Sequence, residues 1–88
     1  MLMNAQSNVR SFPLNMATVG ESVCVVSVDG GKNLLQRLLA MGITDGTELE
    51  IMQHQPGSGI VVRCANTRWA LGTDMAHKIL VSSIADNR

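Results

Sequence analysis

The sequence has almost no aromatic residues. Tyrosine is absent from its 88 residues, and Phe12 and Trp69 are the only rings, although 45% of the chain is hydrophobic. With only two rings to draw on, the core has to be built from Val, Ile, Leu and Met, side chains that pack small and adaptably. Cysteine is also scarce. Cys24 and Cys64 form no Cys-x-x-Cys pair, which excludes a disulfide framework and argues against a zinc or redox motif. They read as small buried hydrophobes, with a shared metal or redox role as the alternative. Neither sign of charge prevails, since seven basic and seven acidic residues cancel. The net field that draws a protein to nucleic acid or to an anionic membrane is therefore missing. No apolar run exceeds about five residues, against the roughly 20 needed to span a bilayer. The opening MLMNAQSNVRSF lacks the apolar stretch of a signal peptide, so the chain reads as cytoplasmic and not membrane-spanning. A chain this short supports one core and one domain.

Residues 1–11 are polar and carry no period, and they read as a flexible N-terminal tail; 85–88 read as a C-terminal one. The domain spans 12–84, with regular structure expected from about Leu14. Ser22 to Val28, rich in β-branched residues and bounded by Gly20 and Asp29-Gly30-Gly31, predicts a strand. Its apolar residues fall on both faces, so partial cover on both sides is expected. Leu34, Leu35, Leu38, Leu39 and Met41 then recur at helical spacing and predict one apolar stripe over Lys32 to Met41, with Asn33, Gln36 and Arg37 facing water. Gly42 stops that helix in a left-handed conformation, and Ile43 folds back onto its last turn.

Thr44-Asp45-Gly46 is a turn into a second strand, Thr47 to His54, with Leu49 and Ile51 inward and Glu48, Glu50 and Met52 outward. Gly59 to Cys64 predicts a third, with Ile60, Val62 and Cys64 on one face. Arg68 to Leu71 predicts a fourth, with Trp69 at least half buried beside the helix. Face parity sets Glu50 opposite Arg63, and Arg63 opposite Arg68 across a turn at Ala65-Asn66. A short helical turn, Thr73 to His77, precedes a last strand from Lys78 to Ser82. Five short strands with one helix inserted between the first and second would leave exposed edges in an open sheet. Closure into a small barrel removes them, so the fold reads as mainly β.

Candidate chemistry is sparse. Asp29-Gly30-Gly31-Lys32-Asn33 lacks the earlier glycine and the Ser or Thr of a phosphate-binding loop. No serine or cysteine sits in a nucleophile elbow. Asp74 and His77, three apart on the short turn, could offer an O and an N ligand to a transition metal, but specific zinc sites want three or four protein ligands. Weak divalent metal binding is the most this pair implies, and no cofactor is required. Arg63 and Arg68 are flanked by Glu48 and Glu50 and lack exposed aromatics that stack on bases, so they read as a solvated ionic row rather than a nucleic-acid surface.

The succession of a Val-rich strand (Ser22 to Val28), Arg37-Leu38, Met41-Gly42-Ile43, Gly46, Pro56-Gly57, Ala70-Leu71 and the ending Ala76, Ile79, Val81 resembles the FeoA family of bacterial ferrous-iron uptake over about Leu14 to Ile84. The resemblance implies an SH3-like barrel that acts on the ferrous iron permease, a GTP-binding inner-membrane protein, and is not itself an enzyme. It also implies kinship with the C-terminal domains of iron-dependent repressors, which makes a metal-binding or metal-sensing domain the alternative. On the docking reading, Arg37, Leu39, Met41, Gly42, Ile43 and Asp45 form or frame the surface for the permease. A helix on so small a barrel cannot bury five large apolar side chains, so some of Leu35, Leu39 and Met41 should stay exposed. The other reading is that all five close the barrel's open end.

Overall fold

The end of the inserted helix fixes how the rest of the chain enters the barrel. In the computed structural model, which describes residues 10–84, helix α1 runs over Lys32–Ala40 with Met41 as its C-cap. Gly42 follows with φ +83°, the left-handed conformation that its position at the helix stop predicts. Its N–H donates to Leu39 O at 2.9 Å, and the Ile43 N–H donates to Leu38 O at 2.8 Å. These two bonds make a Schellman motif, satisfying carbonyls that the helix end would otherwise leave open. The apolar contact that accompanies the motif is present too, because Leu38 and Ile43 are both buried in the core.

The strands are β1 (Phe12–Pro13), β2 (Ser22–Val28), β3 (Glu48–Gln55), β4 (Gly59–Cys64), β5 (Thr67–Leu71) and β6 (Ile79–Ser83); a 3-10 turn at Leu14–Met16 follows β1, and a short helix α2 (Thr73–His77) precedes β6. They form one antiparallel sheet in the order β1-β6-β2-β3-β4-β5; among the described residues its end strands β1 and β5 do not pair with each other, so the curled sheet keeps the two edges that closure was expected to remove. The expected five strands thus become six, because Phe12 and Pro13 pair with Val81 and Leu80. Two residues are too few to show a period, and a proline is tolerated at a sheet edge, where its missing N–H breaks no ladder. The tails expected over 1–11 and 85–88 lie outside the described residues, apart from Arg10 and Ser11.

Two β-bulges explain where strict alternation fails. Val25 pairs with Val81 but Ser27 with Leu80 and Val28 with Ile79, so Val26 is an extra residue. The bulge returns Val28 to the face of buried Ile79 and leaves Val26 exposed, which accounts for apolar residues on both faces of β2. In β3, Leu49 and Ile51 are buried as their alternation predicts; the extra residue at Met52 then sets His54 opposite Ile60. The expected pairs Glu50 with Arg63 and Arg63 with Arg68 both occur, and the Glu50 and Arg63 side chains form an ion pair. The two-residue turn is Ala65-Asn66, with Ala65 at φ +57°. Sequence preference would put glycine or asparagine in that conformation, yet here it falls on the alanine.

The core is one cluster. Val23, Val25, Leu49, Ile51, Ile60, Val62, Leu71, Ile79 and Val81 come from the strands, and Leu14, Ala17, Leu38, Ile43 and Ala76 close it from the connections. Trp69 packs against this cluster, largely covered, with its Nε1 buried and without an acceptor among the described residues. Ahead of β2, the Glu21 carboxylate accepts the Ser83 hydroxyl and the Thr18 N–H, the latter at 2.9 Å. The Ser83 hydroxyl first, and the Thr18 amide second, hold its carboxyl below the ordinary value of 4.5. The carboxylate thereby ties the turn before β2 to the end of the chain's last strand.

Two outcomes follow from these contacts. Nothing lies within 4 Å of where a Cβ on Gly42 would sit, so Gly42→Ala costs only backbone strain. It should lower stability by about 1 kcal/mol in a urea melt; an unchanged midpoint would contradict the left-handed stop. For Glu21, a folded value below the unfolded one means stability that is complete above the unfolded value and lost as pH falls through the folded one. Wild-type stability should therefore decline more steeply than that of Glu21→Gln as pH drops below 4.5, and parallel curves would remove Glu21 from the acid response.

Candidate functional site

Residues 34 and 38 are four apart on α1, and so are 35 and 39, so each pair stacks along its own line of the helix surface. The expected single stripe divides between these lines. Leu38 is fully buried and Leu34 partly so, whereas Leu35 is 46% and Leu39 62% exposed. The Schellman motif sets this division: it draws Leu38 inward beside Ile43, and one residue of helix turns the next side chain by about 100°. Barrel closure therefore uses Leu38, with Leu34 and Met41 at its margin. The arrangement in which all five apolar side chains close the barrel does not occur, because Leu35 and Leu39 remain outside.

Leu35 and Leu39 form one wall of an open depression of 310 Å³, completed by Val28, Ile43, Thr44 and Asp45. Its polar rim is held by the turn into β3. The Thr44 N–H donates to Thr47 Oγ1 at 3.0 Å, and the Gly46 N–H to Val25 O at 2.7 Å, which keeps exposed Asp45 at the edge. Thr47 Oγ1 also donates to Gly42 O at 3.4 Å, linking the helix stop to the same turn. Chemically, this is an apolar floor with a single carboxylate on its rim, a shape suited to an apolar side chain of a partner.

Not all of the sequence-predicted residues meet there. Leu39, Ile43 and Asp45 share the depression, with Ile43 buried as its floor. Met41 is partly buried against the core, and Gly42 contributes backbone only. Arg37 lies on the other side of α1, in a second groove of 390 Å³ with Asn33, Leu34, Gly72, Asp74, Met75 and Lys78. Arg37 and Asp74, expected to serve different purposes, thus border one groove. Val28 and Thr44 were not foreseen; the bulge at Val26 that turns Val28 toward α1 has no signature in the sequence.

Asp74 and His77 are both exposed on α2. Among the described residues no three His, Cys, Asp or Glu side chains come together in a group able to hold a metal ion. The cysteines are partly rather than fully buried: the Cys24 thiol turns to Val25 O and the Cys64 thiol to Gly42 O, each at 3.8 Å. No helix among the described residues is long and apolar enough to cross a membrane.

The sequence is 36% identical over 70 residues to a Fe(2+) transport protein A of Methanocaldococcus jannaschii, a match covering 80% of this chain and 84% of that protein. The crystal structure of an iron uptake regulatory protein, FeoA, superposes with a TM-score of 0.80 at 28% identity, over 85% of this chain and 100% of that one. A manganese-dependent transcriptional repressor has the same SH3-like fold, with a TM-score of 0.79 at 20% identity over 88% of this chain and 44% of the repressor. At that identity the likeness is one of fold alone. The FeoA domain model itself matches residues 12–83, from β1 to the end of β6, and the chain belongs to the FeoA family.

Proposed function

We propose that the protein is a cytoplasmic accessory protein of ferrous iron uptake, a binding module rather than an enzyme, that docks on the cytosolic GTP-binding part of the ferrous iron permease. The observation that carries this reading is the exposed pair Leu35 and Leu39 at the mouth of the depression beside the helix stop. Two large aliphatic side chains left in water by a domain with a complete core cost solubility without adding stability, and such patches mark interaction surfaces. Membership of a family with a relative named for Fe(2+) transport supplies the iron-uptake setting. In this reading Leu39, Leu35 and Val28 provide the apolar contact, Ile43 the floor, and Asp45 a charge that fixes orientation. Arg37 borders the adjoining groove and widens the footprint across α1.

The alternative, a metal-binding or metal-sensing domain related to repressor C-termini, has in its favour a shared fold and the exposed pair Asp74 and His77. It predicts a melting temperature raised by Fe2+ or Mn2+ and restored by chelator, since a ligand that binds only the folded state must stabilise it.

The docking reading is tested by Leu39→Ser and Leu35→Ser in a pull-down with the permease's cytosolic part, with and without nucleotide. Each substitution should shift stability by less than about 1 kcal/mol, as expected for exposed positions. Binding should weaken by about tenfold or more, the loss typical of an apolar contact at the centre of an interface. Undiminished capture by both variants would contradict it.

A further inference from the structure

The sheet ends on β5, and no described residue pairs with its outer side. Which backbone groups face that side follows from the hairpin. Cys64 and Thr67 flank a two-residue turn and pair across it, so they exchange both of their ladder hydrogen bonds. Alternation then gives the same role to Trp69 and Leu71, opposite Val62 and Ile60. The N–H and C=O of Arg68 and Ala70 are left pointing away from β4. Neither residue makes another backbone hydrogen bond among the described residues, and both are exposed. Four backbone groups thus stand in register along a free edge, the template that a further strand uses.

The side chains on the outward face say what kind of strand fits. Register aligns Ser22, Glu50, Arg63 and Arg68 in one row across β2, β3, β4 and β5. Glu50 is ion-paired with Arg63. Arg68 is directly opposite Arg63, a like charge, and because the Glu50 carboxylate is engaged by Arg63 on its other side, one of the two guanidiniums in the row has no counter-charge within it. Among the described residues, the neighbouring position that the row leaves open beside Arg68 lies across the edge of β5. A second copy of the chain fits poorly there: antiparallel β5 strands centred on Trp69 would crowd Arg63 and Arg68 of both copies onto one face. Residues 1–9 contain no acidic side chain, and Asp86 follows β6, which three strands, β2, β3 and β4, separate from β5.

We propose that the free edge of β5 takes an extended acidic segment of a partner protein as a seventh strand, with a carboxylate opposite Arg68. The strand would add hydrogen bonds to Arg68 and Ala70, place alternate carboxylates on the face of Arg63 and Arg68, and set apolar residues on the side of Trp69. This surface shares no residue with the α1 depression, so it stands or falls separately from the docking site proposed there.

The probe is a fluorescein-labelled heptapeptide alternating valine and glutamate, compared with one in which lysine replaces glutamate. The glutamate peptide should bind, shifting the amide resonances of Arg68 and Ala70 more than those of α1, and the lysine peptide should bind at least about tenfold more weakly. Arg68→Glu should reverse that preference. Ala70→Pro removes an edge donor that the β4 ladder does not use, so it should fold and still lose about tenfold in affinity. Equal affinity for the two peptides, amide shifts centred elsewhere, dimerisation of the free protein through β5, or preferential binding of oligothymidylate would each overturn the proposal. Should Ala70→Pro fail to fold, the wild-type amide shifts and the Arg68→Glu reversal decide it alone.

Discussion

Two backbone hydrogen bonds, from Gly42 N–H to Leu39 O and from Ile43 N–H to Leu38 O, set the relation of the helix to the barrel. They require a left-handed residue at 42, and they bring Leu38 and Ile43 into the core from opposite sides of that residue. Once Leu38 is committed inward, helical geometry turns Leu39 about 100° away, and Leu35 goes with it one turn earlier. The turn through Thr44 and Thr47 then delivers the chain to β3 with Leu49 and Ile51 facing the core. The exposed pair on α1 is therefore a consequence of how the helix ends, and the depression beside it is built from residues on both sides of the stop.

Much of this was legible because it depends on local chemistry. The alternation of β3 and β4, the stop at Gly42, and the pairs Glu50 with Arg63 and Arg63 with Arg68 rest on period and turn length, which a sequence displays directly. Strand β1 was not legible, since Phe12 and Pro13 acquire their state only by pairing with Val81 and Leu80 at the far end of the chain. The bulges at Val26 and Met52 were hidden for the same reason: an extra residue in one strand is defined only by the strand it opposes. The stripe on α1 was correctly placed but too wide as a core face, because the room under a helix is set by barrel curvature and not by the helix. Of the site, Leu39, Ile43 and Asp45 were foreseen as neighbours, whereas Arg37 belongs to the far side of α1 and Val28 depends on an unforeseen bulge.

The charge distribution fits a domain that works by contact. A net charge of zero gives no net long-range steering, so on the docking reading recognition would rest on short-range shape and on single charges such as Asp45 beside the depression or Arg68 at the sheet edge. The likeness to a manganese-dependent repressor shows that the same barrel serves other proteins, and that the barrel itself does not specify a task. In this chain the core stops short of the outer side of α1: among the described residues fourteen buried hydrophobics complete the interior, and Leu35 and Leu39 are not among them.

Comparing the stabilities of Leu38→Ala and Leu39→Ala addresses that division most directly, since the two leucines are adjacent in sequence and identical in chemistry. With Leu38 in the core and Leu39 in solvent, Leu38→Ala should cost about 2–5 kcal/mol in a denaturant melt, while Leu39→Ala should stay within roughly 0.5 kcal/mol of the wild type. Equal losses at the two positions would mean that Leu39 also supports the core, and the surface beside the helix stop would then be part of the fold.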